Sequence, residues 1–211
     1  MSANIHGYNS LDGNFDFRQF EFAAQLYKPA GAQHAEPREG IPMSSSLVIS
    51  PVEKLTAQHQ VSKFRCGENS LDHFLRKHAL RNQLAESSQT YVVHQDQVVL
   101  GYVTLVFGAV RLSEAPPSIT ENMPPSFPVP VMILARWAVD KNEQGKGIGR
   151  ALLKEALLKT LAAAEIAGLR AIVVDAISDK MAVSYKNMGF IECPVGPRKL
   201  MMSIEVVRAS L

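Results

Sequence analysis

The residues whose spacing points most directly to chemistry are Gln144-Gly145-Lys146-Gly147-Ile148-Gly149-Arg150. An apolar, β-branched run over 129–139 precedes them, and an apolar-periodic run over 151–167 follows. That order reads as strand, glycine turn, helix. Alternating glycines leave backbone N–H groups uncovered where a helix begins, and a helix N-terminus presents unpaired donors and the positive end of its dipole. Such a turn attracts a phosphate or pyrophosphate. The sequence therefore predicts a phosphorylated cofactor held by Gln144, Gly145, Lys146, Gly147, Ile148, Gly149 and Arg150, with Lys146 and Arg150 placed to meet its phosphates.

The identity of that cofactor turns on details. A P-loop needs four residues between its first glycine and a Gly-Lys-Ser/Thr, and that spacing is absent here. A dinucleotide fingerprint, G-x-G-x-x-G/A, is nearly met by Gly145, Gly147 and Arg150, but the third position is too large and is charged. Asp175, closing the run Ala171-Ile172-Val173-Val174, could imitate the ribose-binding acid, although it lies further downstream than that motif requires. A turn beginning at Gln144, with glycines three and five residues later, resembles Q/R-x-x-G-x-G/A, the pyrophosphate motif of the GNAT superfamily of acetyl-CoA-dependent N-acetyltransferases. Ala182-Val183-Ser184-Tyr185-Lys186-Asn187-Met188-Gly189-Phe190 is similar to the superfamily's short helix ending in x-x-Gly-Phe. Leu134-Ala135-Arg136-Trp137-Ala138-Val139-Asp140 is similar to the strand over which the cofactor's thioester lies. The resemblance implies a single α/β domain of GNAT type, a mixed central sheet flanked by helices, with acetyl-CoA as co-substrate and Ala138 and Val139 beside it.

Composition fits that picture. The chain has 211 residues, 46% hydrophobic and 20% charged, which suits one globular core. No apolar run approaches a membrane span, and the first residues lack the basic-then-apolar order of a signal peptide. No membrane partner is expected, and a cytoplasmic location follows as the default. Cys66 and Cys193 have neither disulfide-framework nor metal-ligand spacing, so two ordinary thiols and no metal are expected. The formal net charge is only +2, so the overall balance does not announce nucleic acid. Basic residues nevertheless concentrate at Lys54, Lys63, Arg65, Arg76, Lys77 and Arg81.

Residues 1–42 differ from the rest. They are rich in Gly, Pro, Asn and His, show no sustained period, and carry an aromatic patch at Phe15, Phe17, Phe20, Phe22 and Tyr27. This extension is expected to be a flexible tail or, if Met43 is the true start, an upstream artefact, with the acetyltransferase domain occupying 43–211. Within that domain we expect a strand over 47–52 and a helix over 69–85 capped by Asn69 and Ser70. A hairpin over 90–93 and 98–107, with 94–97 as its connection, follows. A proline-rich loop over 113–130 leads to the central strand, 131–139. Closing strands are expected over 171–176, 190–193 and 200–207, with a helix over 179–188 between the first two. The post-glycine helix places Ile148, Leu152 and Ala156 on one stripe and Leu153, Leu157 and Leu161 beside it, so it packs on a sheet.

Phe64-Arg65-Cys66-Gly67-Glu68-Asn69-Ser70-Leu71-Asp72-His73-Phe74-Leu75 narrows the resemblance. It is similar to a segment of the TacT-like and AtaT-like GNAT toxins of bacterial toxin–antitoxin pairs, which acetylate the α-amino group of aminoacyl-tRNA and block translation. That resemblance spans roughly 48–204. It implies an aminoacyl-tRNA substrate, a ribbon-helix-helix antitoxin partner and a possible homodimer. It also implies tRNA contacts at Arg76, Lys77 and Arg81, with Arg136 either at the acceptor entrance or paired internally. Trp137 departs from the family, where a smaller aliphatic residue is usual. An α-amino group titrates near ~8 and an adjacent ester lowers that, so the acceptor needs no strong base. Within this resemblance Tyr185 is the candidate general acid: a phenol near ~10 can share a proton with a departing thiol near ~8.5. Two other functions stay compatible with these residues: acetylation of a small amine or a protein N-terminus, and a non-catalytic acetyl-CoA-binding module.

Overall fold

The architecture was obtained as a computed structural model that describes residues 49–211. The expectations for 1–42, and the first residues of the strand expected over 47–52, lie outside the described residues. Among the described residues seven strands form one sheet in the order β1-β2-β3-β4-β5-β7-β6. They are β1 (Glu53–Lys54), β2 (Gln89–Gln95), β3 (Val98–Val110), β4 (Val129–Val139), β5 (Ala171–Asp175), β6 (Ile191–Cys193) and β7 (Gly196–Ser203). Among these strands β4 and β5 pair in parallel and the other neighbours pair antiparallel. This is the mixed sheet expected.

The helices cover both faces. Helix α1 runs through Asn69–Phe74, a π-helical turn Leu75–Ala79, and Leu80–Leu84. Helix α2 is the single turn Pro117–Thr120 in the proline-rich loop, α3 is Ile148–Ala167, α4 is Asp179–Asn187 and α5 is Ile204–Ser210. Under α3 and α4 lies the main core, which includes Leu134, Trp137, Leu152, Leu153, Leu157 and Tyr185. On the opposite face, Leu71, Leu75 and Ala79 of α1 pack with Val92, Tyr102 and Ala138. Both stripes expected on α3 therefore face the sheet, with Leu161 partly buried at its margin.

Four local expectations are corrected. Residues 49–52 are not a strand; Pro51 has no N–H to give to a ladder, and pairing with β2 begins at Glu53. Asn69 and Ser70 lie inside α1 rather than capping it; Glu68 is the N-cap and makes no side-chain cap bond. The β2–β3 connection is two residues, Asp96 and Gln97, both left-handed (φ 49° and 68°) as a tight hairpin requires. The run over 200–207 is not one strand: Ser203 accepts a hydrogen bond from the Val206 N–H (3.2 Å), capping α5 and ending β7.

Two features of β3 and β4 position the site. Ala135 lies between the pairs Thr104–Arg136 and Leu105–Leu134, a β-bulge. Without it the strict alternation of a strand would put Arg136 on the α3 face. With it, Leu134, Trp137 and Val139 all face α3 and α4, while Ala138 faces α1. Gly101 on β3 allows α3 to approach: a Cβ there would stand 2.9 Å from Ile148 Cγ2 and from Leu152 Cδ1.

Candidate active site

The glycine turn sits where β4 ends and α3 begins. Gly145 and Gly147 are left-handed (φ 82° and 89°), Gly147 serving as the N-cap of α3. A Cβ at either would meet nothing within 4 Å, so backbone conformation rather than space is what asks for glycine. The Gln144 side chain points inward, its amide donating to the carbonyls of Cys66 (3.0 Å) and Val139 (3.1 Å). Gln144 thus fixes the turn against β4. The buried Asp140 does the same from the other side, accepting from the N–H groups of Arg65 (2.8 Å) and Asn142 (3.0 Å). Sequence reading passed over Asp140; an Asp directly after a strand and before a turn was the available signal. Lys146 is exposed and pairs with Glu143 at 3.0 Å, and Arg150 lies exposed in the first turn of α3.

Beside this turn the sheet opens. β4 and β5 pair only over Val131–Ala171, Met132–Ile172 and Ile133–Val173, after which β4 continues alone on that side. The Asp140 N–H donates to Leu100 O (2.8 Å), toward β3. By the two-residue alternation of a strand, the Ala138 N–H also points to β3, whereas the Val139 N–H and C=O point into the opening. The Gln144 bond to the Val139 carbonyl agrees with that direction. Of the two strand residues expected at the cofactor, Val139 is the one whose N–H faces the opening.

Tyr185 enters from α4. Ser178 caps that helix by accepting from the Met181 N–H (3.3 Å), and Gly189, at φ 91°, turns the chain so that Phe190 packs inward. The Tyr185 ring lies 5.3 Å from Phe190 and 6.0 Å from Trp137, centre to centre. Its hydroxyl is buried and has no hydrogen-bond partner. Burial pushes the phenol well above its ordinary value, so it stays protonated. A buried, unpartnered O–H in the core that also holds Ile148, the first residue of α3, fits a ligand that carries both a phosphate and an atom able to accept a proton. Burial also holds the Cys66 and Cys193 thiols up, at about 12 and about 11, consistent with two inert thiols.

The basic residues occupy the α1 side. Lys77 and Arg81 are exposed, whereas Arg76 is half-buried and donates to the Asp72 carbonyl (3.0 Å). Arg136 lies beneath α1, its guanidinium 5.1 Å from the centre of the Phe74 ring and donating to the Ala135 carbonyl (2.6 Å). Desolvation lowers its pKa, and Tyr102 partly offsets that. The bulge at Ala135 and the π turn of α1 thus bring Arg136 to the helix that carries Arg76, Lys77 and Arg81.

His94 joins His59 and Glu53. Both rings donate from Nε2 to Glu53 Oε1, at 2.9 and 3.1 Å. Each Nδ1 accepts from a backbone N–H, that of Thr56 for His59 and that of Gln97 for His94. Those bonds keep the protons on Nε2, the reverse of what a metal at Nε2 demands. The cluster instead ties β1 to β2.

Comparison with known proteins agrees with the geometry. The family described as "Acetyltransferase (GNAT) domain" matches residues 86–192. A tRNA-acetylating toxin of Mycobacterium tuberculosis is 39% identical over 160 residues, 76% of this chain and 95% of that protein. The structure of AtaT complexed with acetyl-methionyl-tRNAfMet superposes with a TM-score of 0.70 at 26% identity, covering 77% of this chain and 98% of that one. A tyrosine-to-phenylalanine variant of AtaT, bound to the C-terminus of the antitoxin AtaR and acetyl-CoA, gives a TM-score of 0.65 at 25% identity, covering 77% and 97%. The strand order, the glycine turn and the extent of these matches agree: the chain belongs to the GNAT family of acetyl-CoA-dependent N-acetyltransferases.

Proposed function

We propose that this enzyme is a toxin that acetylates the α-amino group of aminoacyl-tRNA and thereby stops translation. The reading is carried by the likeness to the tRNA-acetylating toxin, which runs over nearly the whole of that relative. Bound acetyl-CoA supplies an acetyl group already activated as a thioester. The backbone of the exposed Gly145–Gly147 turn and the side chains of Lys146 and Arg150 hold its phosphates. The Val139 N–H donates to the acetyl carbonyl oxygen, a preorganised dipole at the mouth of the opened sheet. Tyr185 holds a proton at its phenol oxygen for the leaving sulfur. β4 contains no Glu or His, which suits an acceptor amine that is largely neutral without a base.

Arg76, Lys77 and Arg81 on α1 supply phosphate contacts that place tRNA without reading its bases, and Arg136 lies at the acceptor entrance beneath them. A ribbon-helix-helix antitoxin neutralises the enzyme, and a two-fold dimer joins two basic faces into one platform. The enzyme works in the cytoplasm, where its substrate is. Among the described residues no helix is long and apolar enough to cross a membrane.

The test is to incubate purified protein with labelled acetyl-CoA and total aminoacylated tRNA. Label should enter the tRNA fraction and vanish on deacylation. Acetyl-CoA binding with no labelled tRNA, but with labelled small amines or proteins, would overturn the proposed substrate. Growth arrest that co-expression of the neighbouring small gene fails to relieve would overturn the proposed antitoxin pairing.

A further inference from the structure

Two members of the hydrophobic cluster under α3 and α4 carry a buried nitrogen or oxygen, Trp137 and Tyr185; the buried Thr160 of α3 spends its hydroxyl on the Ala156 carbonyl (2.7 Å). Trp137 and Tyr185 are neighbours, their rings 6.0 Å apart and tilted by 50°. Both polar atoms, the indole Nε1 and the phenol oxygen, are buried without a hydrogen-bond partner. Every other buried member of the cluster is aliphatic, a methionine or a phenylalanine, so no oxygen on those side chains can accept from either donor. A buried N–H with no acceptor is destabilising, and a phenylalanine would fill much of the same space without that penalty. Two such donors side by side point to one acceptor that both serve.

The bulge at Ala135 is what places the indole there. It sets Trp137 on the face that meets α4, two residues before Val139, whose N–H faces the opening beside β5. We infer that the Trp137 indole Nε1–H donates a hydrogen bond to the sulfur of coenzyme A, alongside the Tyr185 hydroxyl. This rests on the placing of Tyr185 at the sulfur proposed above. A sulfur that gains negative charge as it leaves is better held by two donors than by one, and the large soft atom can accept from both. Trp137 is thus a sulfur-binding donor rather than packing alone.

The chain has a single tryptophan, so its emission reports on this position alone. Purified protein is titrated with coenzyme A and with desulfo-coenzyme A, in which hydrogen replaces the thiol, and saturation by each is checked by calorimetry. Coenzyme A should shift the emission of Trp137, and saturating desulfo-coenzyme A should leave most of that shift absent. The ratio of the two Kd values should fall about fivefold in Trp137→Phe, the yield of one hydrogen bond. Equal emission changes with both ligands would overturn the inference, and this comparison uses the unaltered chain, so it decides even if the variant does not fold. An unchanged Kd ratio in Trp137→Phe would overturn it too. If Tyr185→Phe alone then lowers the ratio, Tyr185 remains at the sulfur; if neither variant does, the placing of Tyr185 fails as well.

Discussion

The Tyr185 hydroxyl should lower the stability of the free protein and supply much of its activity, and Tyr185→Phe separates the two by removing one oxygen. The hydroxyl is buried without a partner, a state that costs about 1–3 kcal/mol. Phenylalanine keeps the ring and its packing on Trp137 and Phe190, so no cavity opens. The ligand-free variant should therefore be more stable by about 1 kcal/mol, a rise of about 2–4 °C in Tm for a domain of this size. Its acetyl-transfer rate should fall about 10²–10⁴-fold, the usual contribution of a positioned acid, equivalent to about 3–5 kcal/mol of barrier. The pH dependence has a definite sign. Burial raises the folded pKa above the ordinary ~10, so stability from the neutral phenol is intact below ~10 and is lost as pH rises from there toward the folded value. Over that window wild type should lose about 1.4 kcal/mol per pH unit more than Tyr185→Phe; Tyr102, raised chiefly by burial, is common to both. Thermal unfolding without ligand and single-turnover transfer to aminoacyl-tRNA measure the two effects. A Tm lower by several degrees would mean the hydroxyl is partnered in the free protein, and an unchanged rate would remove Tyr185 as the acid.

Three further outcomes follow from other parts of the site. Gly101→Ala puts a Cβ 2.9 Å from Ile148 and Leu152, so α3 must shift; we expect about 1–3 kcal/mol less stability in urea melts and weaker acetyl-CoA binding by calorimetry. Gln144→Ala removes the two bonds that pin the glycine turn to Cys66 and Val139; the Kd for acetyl-CoA should rise about tenfold, and equal affinity would show that the turn holds its shape unaided. Replacing Arg76, Lys77 and Arg81 together by Gln should leave the fold and acetyl-CoA binding intact while raising the KM for tRNA and flattening its salt dependence, the log–log slope falling by as much as about 2. A KM that is unchanged across salt concentrations would take tRNA off that face.

Much of the scaffold was legible because it depends on local pattern. The post-glycine helix, the central strand and the helix ending at Gly189 each carry a period or a punctuating residue that acts over a few positions. Boundaries were misread where two local signals compete. The apolar run after Leu200 suits strand and helix equally, and the Ser203 cap decides in favour of a helix. The site was legible in part. Gln144 was marked as a cofactor residue by its place in a motif, yet its side chain faces the protein, and Asp140, which helps fix the same turn, was passed over.

The sequence by itself determined the glycine turn, the helix that starts on it and the presence of a tyrosine just before a helix stop, because each follows from short-range backbone preference. Only the tertiary structure decided what those parts face. The bulge at Ala135 reverses the alternation of β4, the three-pair contact between β4 and β5 leaves the Val139 N–H uncovered, and burial strips Tyr185 and Trp137 of partners. The facing of a side chain and the solvation of a donor are set by neighbours distant along the chain, and periodicity within a single segment does not specify them.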